Sequence, residues 1–253
     1  MARGLLFRRH FSMIELDAPD WWVQVPVLSG PSIRIREVEA ADAAALLEMF
    51  GDPLVNRYLY PPPSSLTRFE GFIEWARRQR ESAKCVCFVV VPNGLHQPIG
   101  LFQLRALDRE FQLAEWGFAI MPSFWGTGLF EEAAGLVAEF AFAIGVKRIE
   151  ARAVVANGRA NRALEKIGAK GEALLRKAFK FNEPQFMWAI VVDEWSGPSP
   201  SDTTPFEAAR LRTQIAKAIA QLPVAPRTVS HPWAPPPFPF FLTRNPDDPA
   251  DES

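Results

Sequence analysis

The amino-acid sequence predicts an α+β (mixed α/β) fold, in which a central, mostly antiparallel mixed sheet is flanked by helices. The first observation behind this is the order of elements, β-α-α-β-β-β-α-β-α-β-β, which combines hairpins with strand–helix–strand crossovers. That order is too irregular for a doubly wound fold. The second is composition: of the 253 residues, 48% are apolar and 23% are charged, the balance of a soluble globular protein.

Strands are predicted where apolar residues alternate with polar ones, or form short runs between turn residues. Turn residues such as Pro92-Asn93-Gly94 and Pro122 separate several of these segments. The segments are residues 33–38, 85–91, 99–104, 112–120, 148–155, 174–181 and 185–192. The sheet is therefore expected to contain about seven strands.

Helices are predicted where apolar residues recur every three or four positions. The segments with this spacing are residues 40–50, 67–81, 128–144 and 159–167. The first is expected to end at Gly51-Asp52-Pro53, and a break at Pro61-Pro62-Pro63 precedes the second. Together with the strands, these helices give the element order stated above.

Proline divides the chain into three parts. Residues 1–30 are predicted to be an N-terminal extension, residues 31–196 the main domain, and residues 197–253 a tail with twelve of the 23 prolines. Within the tail, apolar residues at helical spacing predict one short amphipathic helix. They are Ala208, Leu211, Ile215, Ile219 and Leu222. This apolar face is expected to pack on the domain, on a second copy of the chain in a homodimer, or on another partner.

Charge and cysteine content exclude some function classes. With 28 Lys and Arg against 29 Asp and Glu, a generally basic nucleic-acid binder is excluded. Cys85 and Cys87 are expected to be small core residues on one strand, and two cysteines with scattered histidines predict no metal site. No apolar run approaches the ~20 residues that cross a bilayer, so no membrane partner and a cytoplasmic location are expected.

One stretch has the character of a ligand-binding loop. The strand at 112–120 leads to Gly126-Thr127-Gly128, which begins the helix at 128–144. Glycines permit a sharp turn and the close approach of a ligand, and a helix N-terminus favours an anion such as phosphate. The loop lacks the Lys-Ser/Thr ending of a Walker loop and the third glycine of a dinucleotide fingerprint. By itself it is therefore also compatible with a plain turn at the start of a helix.

In its wider context, the sequence resembles the GNAT acetyltransferase superfamily, and within it the branch that includes the ribosomal-protein N-terminal acetyltransferases. The resemblance extends from about Leu28 to Trp195. It is carried by residues 28–36, 114–120, 125–128, 157–168, 171–172, 175–176 and 193–195. The resemblance implies a GNAT-like fold, acetyl-CoA as the acyl donor, and a primary amine as the acceptor. That amine would be a protein N-terminus or part of a small molecule.

The resemblance also implies which residues bind the cofactor. In such proteins the central strand splays from its neighbour, and the pantetheine arm of coenzyme A occupies the gap. The implied cofactor-binding residues are Ile120, Met121, Trp125, Gly126, Thr127, Gly128, Leu129, Phe130 and Asn157. Tyr58 and Tyr60 lie where relatives place substrate-binding loops.

The chemistry requires a base, because an alkyl ammonium with a pKa near 10.4 must lose a proton before its nitrogen can attack a thioester. Glu115 in the central strand is the candidate, on the same strand face as the small residues Gly117 and Ala119. The alternative is a structural carboxylate within the sheet.

Three positions depart from the family pattern. Phe130 replaces a usual Gly or Ala, and would either crowd the pyrophosphate or turn into the core. Ala160 and Leu164 replace residues that donate a proton in relatives, so no general acid is identified. The leading hypothesis is direct acetyl transfer in a ternary complex. The alternative is a non-catalytic acyl-CoA-binding sensor or interaction module on the same fold.

Overall fold

A computed structural model of the protein describes residues 20–178 and 183–198. In this part of the chain, eight strands form one mixed sheet in the order β1-β2-β3-β4-β5-β6-β8-β7. The strands are β1 (Leu28–Ser29), β2 (Ile33–Glu37), β3 (Cys85–Pro92), β4 (Gly100–Ala106), β5 (Leu113–Ile120), β6 (Arg148–Val154), β7 (Lys170–Leu175) and β8 (Gln185–Val191). Neighbouring strands are antiparallel except β5 and β6, which are parallel.

Five α-helices flank the sheet within the described residues. They are α1 (Ala43–Gly51), α2 (Pro53–Asn56), α3 (Leu66–Glu81), α4 (Leu129–Ala143) and α5 (Gly158–Lys166). Ser65 caps α3 because its hydroxyl accepts the backbone N–H of Arg68. None of these helices is both long enough and apolar enough to span a membrane.

The sheet separates two apolar cores. On one face, α4 and α5 pack against side chains that include Phe88 and Trp116. On the other face, α1 and α3 pack against side chains that include Val89 and Ala119. Because side chains alternate along a strand, Glu115 lies on the same face of β5 as Ala119. This surface is called the α3 face below, and the opposite one the α4 face.

The residues before β1 are fastened to the domain. Trp21 is buried with its ring 5.3 Å from that of Phe111. The buried guanidinium of Arg80 donates to the backbone carbonyl of Trp22 and pairs with Glu37 at 2.6 Å. Leu28 and Ser29, which lie within the sequence-defined extension, pair with β2 and add an eighth strand to the sheet.

The predicted fold class is confirmed, and α1 ends at Gly51 as predicted. Sequence analysis did not predict the short helix α2, which Asp52 caps by accepting the N–H of Leu54. The strand predicted at 174–181 is misplaced, because β7 ends at Leu175 and a turn follows. β7 is an exposed edge strand, and its pairing with β8 is irregular near Gly171. Its sequence therefore lacks the apolar alternation from which a strand is predicted. Residues 179–182 and the predicted tail helix lie outside the described residues.

Candidate active site

The sheet is interrupted between its two parallel strands. β5 and β6 pair at only three positions, of which Glu115 opposite Glu150 is the last. β5 continues to Ile120, and β6 continues to Val154 while it remains paired with β8. The two strands therefore enclose a gap that widens toward their C-terminal ends, as the family resemblance implies.

The backbone of β5 has hydrogen-bonding groups directed into this gap. At one end the carbonyl of Gln112 accepts from Lys147 on the β6 side, and at the other end Met121 N–H donates to Ile99 on the β4 side, both at 2.8 Å. Because successive residues of a strand point these groups to alternate sides, those of Trp116, Phe118 and Ile120 point toward β6. The carbonyl of Ile120 already accepts the indole N–H of Trp125 at 2.8 Å. The backbone groups of Trp116 and Phe118 are thus placed to pair with an extended ligand.

The glycine loop lies at the wide end of the gap. Gly126 and Gly128 have φ angles of +74° and +80°, in the left-handed region that disfavours other residues. A Cβ atom built at either position would find no other atom within 4 Å, so the space in front of the loop is open. Thr127 turns inward, and its buried hydroxyl donates to the carbonyl of Phe124. The loop therefore presents backbone N–H groups, at the start of α4, to an open space.

Phe130 does not occupy that space. Its ring centroid lies 4.6 Å from that of Phe118, and it stacks on Phe102 at 5.9 Å. Of the two positions expected for this side chain, the structure shows the one turned into the core. Leu129 beside it is fully buried in the same cluster.

The opposite side of the gap is fixed by the start of α5. Asn157 caps this helix, with its side-chain oxygen 3.2 Å from the N–H of Ala160. Asn161 donates to the carbonyl of Val154 and accepts from the indole of Trp188. Leu164 is buried in the core, so the residue at this position faces the protein interior.

Two contacts lie at the mouth of the gap. The guanidinium of Arg159 in α5 lies 4.1 Å above the ring of Trp125, so the chain segments that follow β5 and β6 touch there. The hydroxyl of Tyr58, which follows α2, donates to the carbonyl of Ala156 after β6 at 3.3 Å.

Glu115 lies at the narrow end of the gap and is 1% exposed. Its carboxylate accepts a hydrogen bond from Arg105 of β4 at 2.7 Å, and lies 3.6 Å from Arg152 of β6. Burial raises the pKa of Glu115, whereas the hydrogen bond from Arg105 and the positive charges of both arginines lower it. The net effect is a pKa above the ordinary glutamate value of 4.5. Glu115 can therefore hold or release a proton closer to neutral pH than an exposed glutamate.

Several buried polar atoms on the α3 face near Glu115 have no hydrogen bond among the described residues. They are the Nε atoms of Arg105 and Arg152 and both side-chain polar atoms of Gln103. Of these, Arg152 Nε still forms an ion pair with the Glu115 carboxylate at 3.6 Å. Buried polar groups are normally satisfied, so this region of the sheet is suited to a polar ligand.

Sequence reasoning missed Arg105 and Arg152. The available signal was the apolar strand β4, in which Gln103 and Arg105 are polar residues two positions apart and thus on one face. Their partner was not identifiable from that signal, because it depends on the register between β4 and β5. In the structure that register places Arg105 directly opposite Glu115.

Comparison with known proteins agrees with this geometry. The family model described as an acetyltransferase (GNAT) domain matches residues 32–170, more than half of the chain. The protein therefore belongs to the GNAT acetyltransferase family. It is an acyltransferase, as the N-acetyltransferase names of its curated relatives support.

Similar proteins support the family and the fold. The uncharacterized N-acetyltransferase YoaA of Bacillus subtilis (strain 168) is 26% identical over 154 residues, which cover 60% of this chain and 87% of YoaA. The acetyltransferase (GNAT family) from Bacillus anthracis has a TM-score of 0.60 and 23% identity, and the match covers 67% of this chain and 100% of that one. A ribosomal-protein-S5-alanine acetyltransferase from Vibrio fischeri also has a TM-score of 0.60, with 17% identity and coverage of 67% and 98%.

Proposed function

We propose that this protein is an N-acetyltransferase that moves an acetyl group from acetyl-CoA directly to a primary amine in a ternary complex. The observation that carries the proposal is the gap between β5 and β6, whose pairing stops after three positions beside an open glycine loop. The domain of residues 31–196 would be the catalytic unit, with the extension and tail as accessory segments.

The residues around the gap fit a nucleotide-linked thioester. Backbone groups of Trp116 and Phe118 would pair with the pantetheine arm, beside Met121 at the end of β5. The N–H groups from Trp125 to Phe130 would hold the pyrophosphate at the positive end of α4. Asn157, on the far side, would contact the arm. Acetyl-CoA, when bound, supplies an acetyl group as a thioester that a neutral amine can attack.

Glu115 is proposed as the base that takes the proton from the incoming ammonium, directly or through water. Its position at the narrow end of the gap and its raised pKa support this role. Arg105 would hold the carboxylate in place and keep enough of it ionised to act. In the balanced reaction, Glu115 would take one proton from the ammonium, and the neutral nitrogen would form the nitrogen–carbon bond as the carbon–sulfur bond breaks. The second nitrogen proton would pass to the departing thiolate, directly or through solvent, so that coenzyme A leaves as the thiol.

The cysteines support direct transfer rather than a covalent acyl-enzyme. Cys85 and Cys87 are fully buried in β3. Burial raises the pKa of the Cys87 thiol well above its ordinary value. A buried thiol that stays protonated is a poor nucleophile, because the thiolate is the reactive form.

The acceptor would approach from the α3 face. There, the side chains of Gly117 and Ala119, on the same strand face as Glu115, are small enough that an acyl group would fit beside them, and Tyr58 contacts Ala156 after β6. Both a protein N-terminus and a small-molecule amine satisfy this chemistry. A protein N-terminus is supported by the fold that this chain shares with ribosomal-protein acetyltransferases, the branch that its sequence resembles.

The proposal is tested first by calorimetric titration with acetyl-CoA and with coenzyme A. Micromolar binding of both is expected, and binding of neither would overturn the proposal. Release of free thiol is then measured with α-amino peptides, polyamines and amino sugars as acceptors.

The base is tested separately with Glu115→Gln. This variant is expected to bind acetyl-CoA as the wild type does and to lose about 10²- to 10⁴-fold in turnover. Glu110→Gln, at an exposed glutamate in the loop before β5, is the matched control and should retain full turnover. Unchanged turnover in Glu115→Gln would remove Glu115 as the base while leaving the cofactor assignment in place.

A further inference from the structure

Arg159 is placed against the glycine loop by an interaction that the family resemblance does not provide. Its guanidinium lies over Trp125, which directly precedes Gly126, with Cζ 4.1 Å from the centre of the ring. A guanidinium at this distance from an indole face is held by a cation–π interaction. The side chain is exposed, and among the described residues no carboxylate lies within ion-pairing distance of it.

The other charged groups at this end of α4 are already paired. Glu131 in the first turn lies 3.4 Å from Lys166, and Glu132 accepts the N–H groups of Ser32 and Ile33. These two carboxylates oppose the binding of an anion at the helix N-terminus. Arg159 and Arg162, both in α5, have no carboxylate partner within the described chain, and of the two it is Arg159 that contacts Trp125 at the loop.

We propose that Arg159 is a coenzyme-binding residue, held ready by Trp125, that pairs with the pyrophosphate of acyl-CoA at the glycine loop. A guanidinium forms strong charge-assisted hydrogen bonds to phosphate oxygens, and a stacked guanidinium loses less freedom on binding than a free one. This inference rests on the proposed function, since it assumes that the loop binds coenzyme A. It adds a residue of α5 to a subsite otherwise made of backbone groups.

The test measures binding rather than activity. Arg159→Gln is titrated calorimetrically with three ligands: coenzyme A, dephospho-coenzyme A and pantetheine. Dephospho-coenzyme A keeps the pyrophosphate but lacks the 3′-phosphate, and pantetheine lacks all phosphates. We expect coenzyme A and dephospho-coenzyme A to bind about 10-fold more weakly, because one exposed charge-assisted contact is lost. The affinity for pantetheine should not change. The affinity should also become less sensitive to salt, because one fixed charge is gone.

Arg109→Gln is the matched control. It removes the same charge from an exposed position in the loop before β5, at the other end of that strand from the glycine loop, and should leave all affinities unchanged. Arg159→Lys keeps the charge without the planar stacking group and should bind coenzyme A with intermediate affinity.

The outcomes separate this inference from the proposed function. If wild-type protein binds coenzyme A and Arg159→Gln binds it equally well, the inference is wrong and the proposed function stands. If the loss affects coenzyme A but not dephospho-coenzyme A, Arg159 serves the 3′-phosphate and the assignment to the pyrophosphate is wrong. If the wild type binds no coenzyme A, both fail.

Discussion

The two halves of the sheet are built differently. From β2 to β5 the strands pair almost continuously, with six paired positions between β3 and β4 and seven between β4 and β5. Between β5 and β6 the pairing drops to three positions before it returns to seven between β6 and β8, and charged side chains such as Arg152 replace apolar ones on the α3 face. The comparison indicates that the first half supplies most of the stability, whereas the interruption between the halves supplies the groups for binding and chemistry.

The cost of this interruption is visible around Glu115. A carboxylate is buried there against two guanidinium groups, and the Nε atom of each has no hydrogen bond among the described residues. Such groups stabilise a fold less than apolar packing does, because the loss of hydration offsets much of their mutual attraction. Their position beside the gap suits catalysis better than it suits stability.

The largest expected effect comes from breaking the continuous half. Phe88 in β3 is fully buried, with its ring 5.1 Å from that of Phe140 in α4. Phe88→Ala is expected to lower the free energy of unfolding by about 3–5 kcal/mol, measured by urea denaturation, because it leaves a cavity. Leu174→Ala is the contrast, since Leu174 in β7 is 56% exposed and its loss should cost less than about 0.5 kcal/mol. Equal losses at the two positions would contradict the comparison.

The second prediction concerns the pH dependence of activity. A base acts when deprotonated, so kcat/KM should rise with pH as Glu115 ionises, and its raised pKa places this rise above pH 4.5. Arg105→Gln removes the largest influence that lowers this pKa, so the rise should move to higher pH. Arg152→Gln should move it less, because Arg152 acts by charge without a hydrogen bond.

The measurement is a pH profile of kcat/KM for each variant. Arg109→Gln, at an exposed arginine in the loop before β5, removes the same charge and should leave the profile unchanged. A shift toward lower pH in Arg105→Gln would be incompatible with Glu115 as the ionising group.

The third prediction separates backbone strain from ligand binding. Gly128→Ala and Gly94→Ala both place a side chain at a positive φ with open space around it, so each should cost about 1–2 kcal/mol of stability. Gly94 lies in the turn between β3 and β4, away from the gap, whereas Gly128 begins α4. Only Gly128→Ala should also weaken coenzyme A binding in calorimetry. Equal affinities for the two variants would remove the loop from the proposed cofactor site.

The smallest effect is expected at the mouth of the gap. The hydrogen bond from Tyr58 to Ala156 is 3.3 Å long and exposed, so Tyr58→Phe should change the free energy of unfolding by less than about 0.5 kcal/mol. The KM for the amine should rise while the KM for acetyl-CoA stays constant, because Tyr58 borders the acceptor side. A rise in the KM for acetyl-CoA alone would assign Tyr58 to the cofactor instead.

Much of the fold was predictable because its signals are local. The β3 strand is an uninterrupted apolar run, and the helix at α3 has its apolar residues at regular spacing, so both were found within one or two residues. Strand β7 was misplaced because it is an edge strand, whose side chains face solvent and need no alternation. The two residues of β1 are too few to form any pattern.

The candidate site was only partly predictable, because several of its residues are brought together by the register between strands and by the connection from β5 to β6. Glu115 and the glycine loop are close in sequence and were singled out together. Arg105 reaches Glu115 through one hairpin register, and Arg152 reaches it through a parallel crossover that sequence spacing does not fix. The contact of Arg159 with Trp125 depends on how α5 follows β6, and no local pattern records it.

The continuous burial of β3 also has a consequence for the chain before it folds. Residues 85–91 of β3 form an apolar run of high strand propensity with no charge and no proline, the type of sequence that self-associates when it is exposed. We expect this run to be the segment most prone to aggregation during synthesis or refolding. Lys84 on one side and Pro92 at its end interrupt the run, and in this position a charge and a proline act as gatekeepers against intermolecular strand pairing. The strand that contributes most to the native core is therefore also the one that the surrounding sequence must protect.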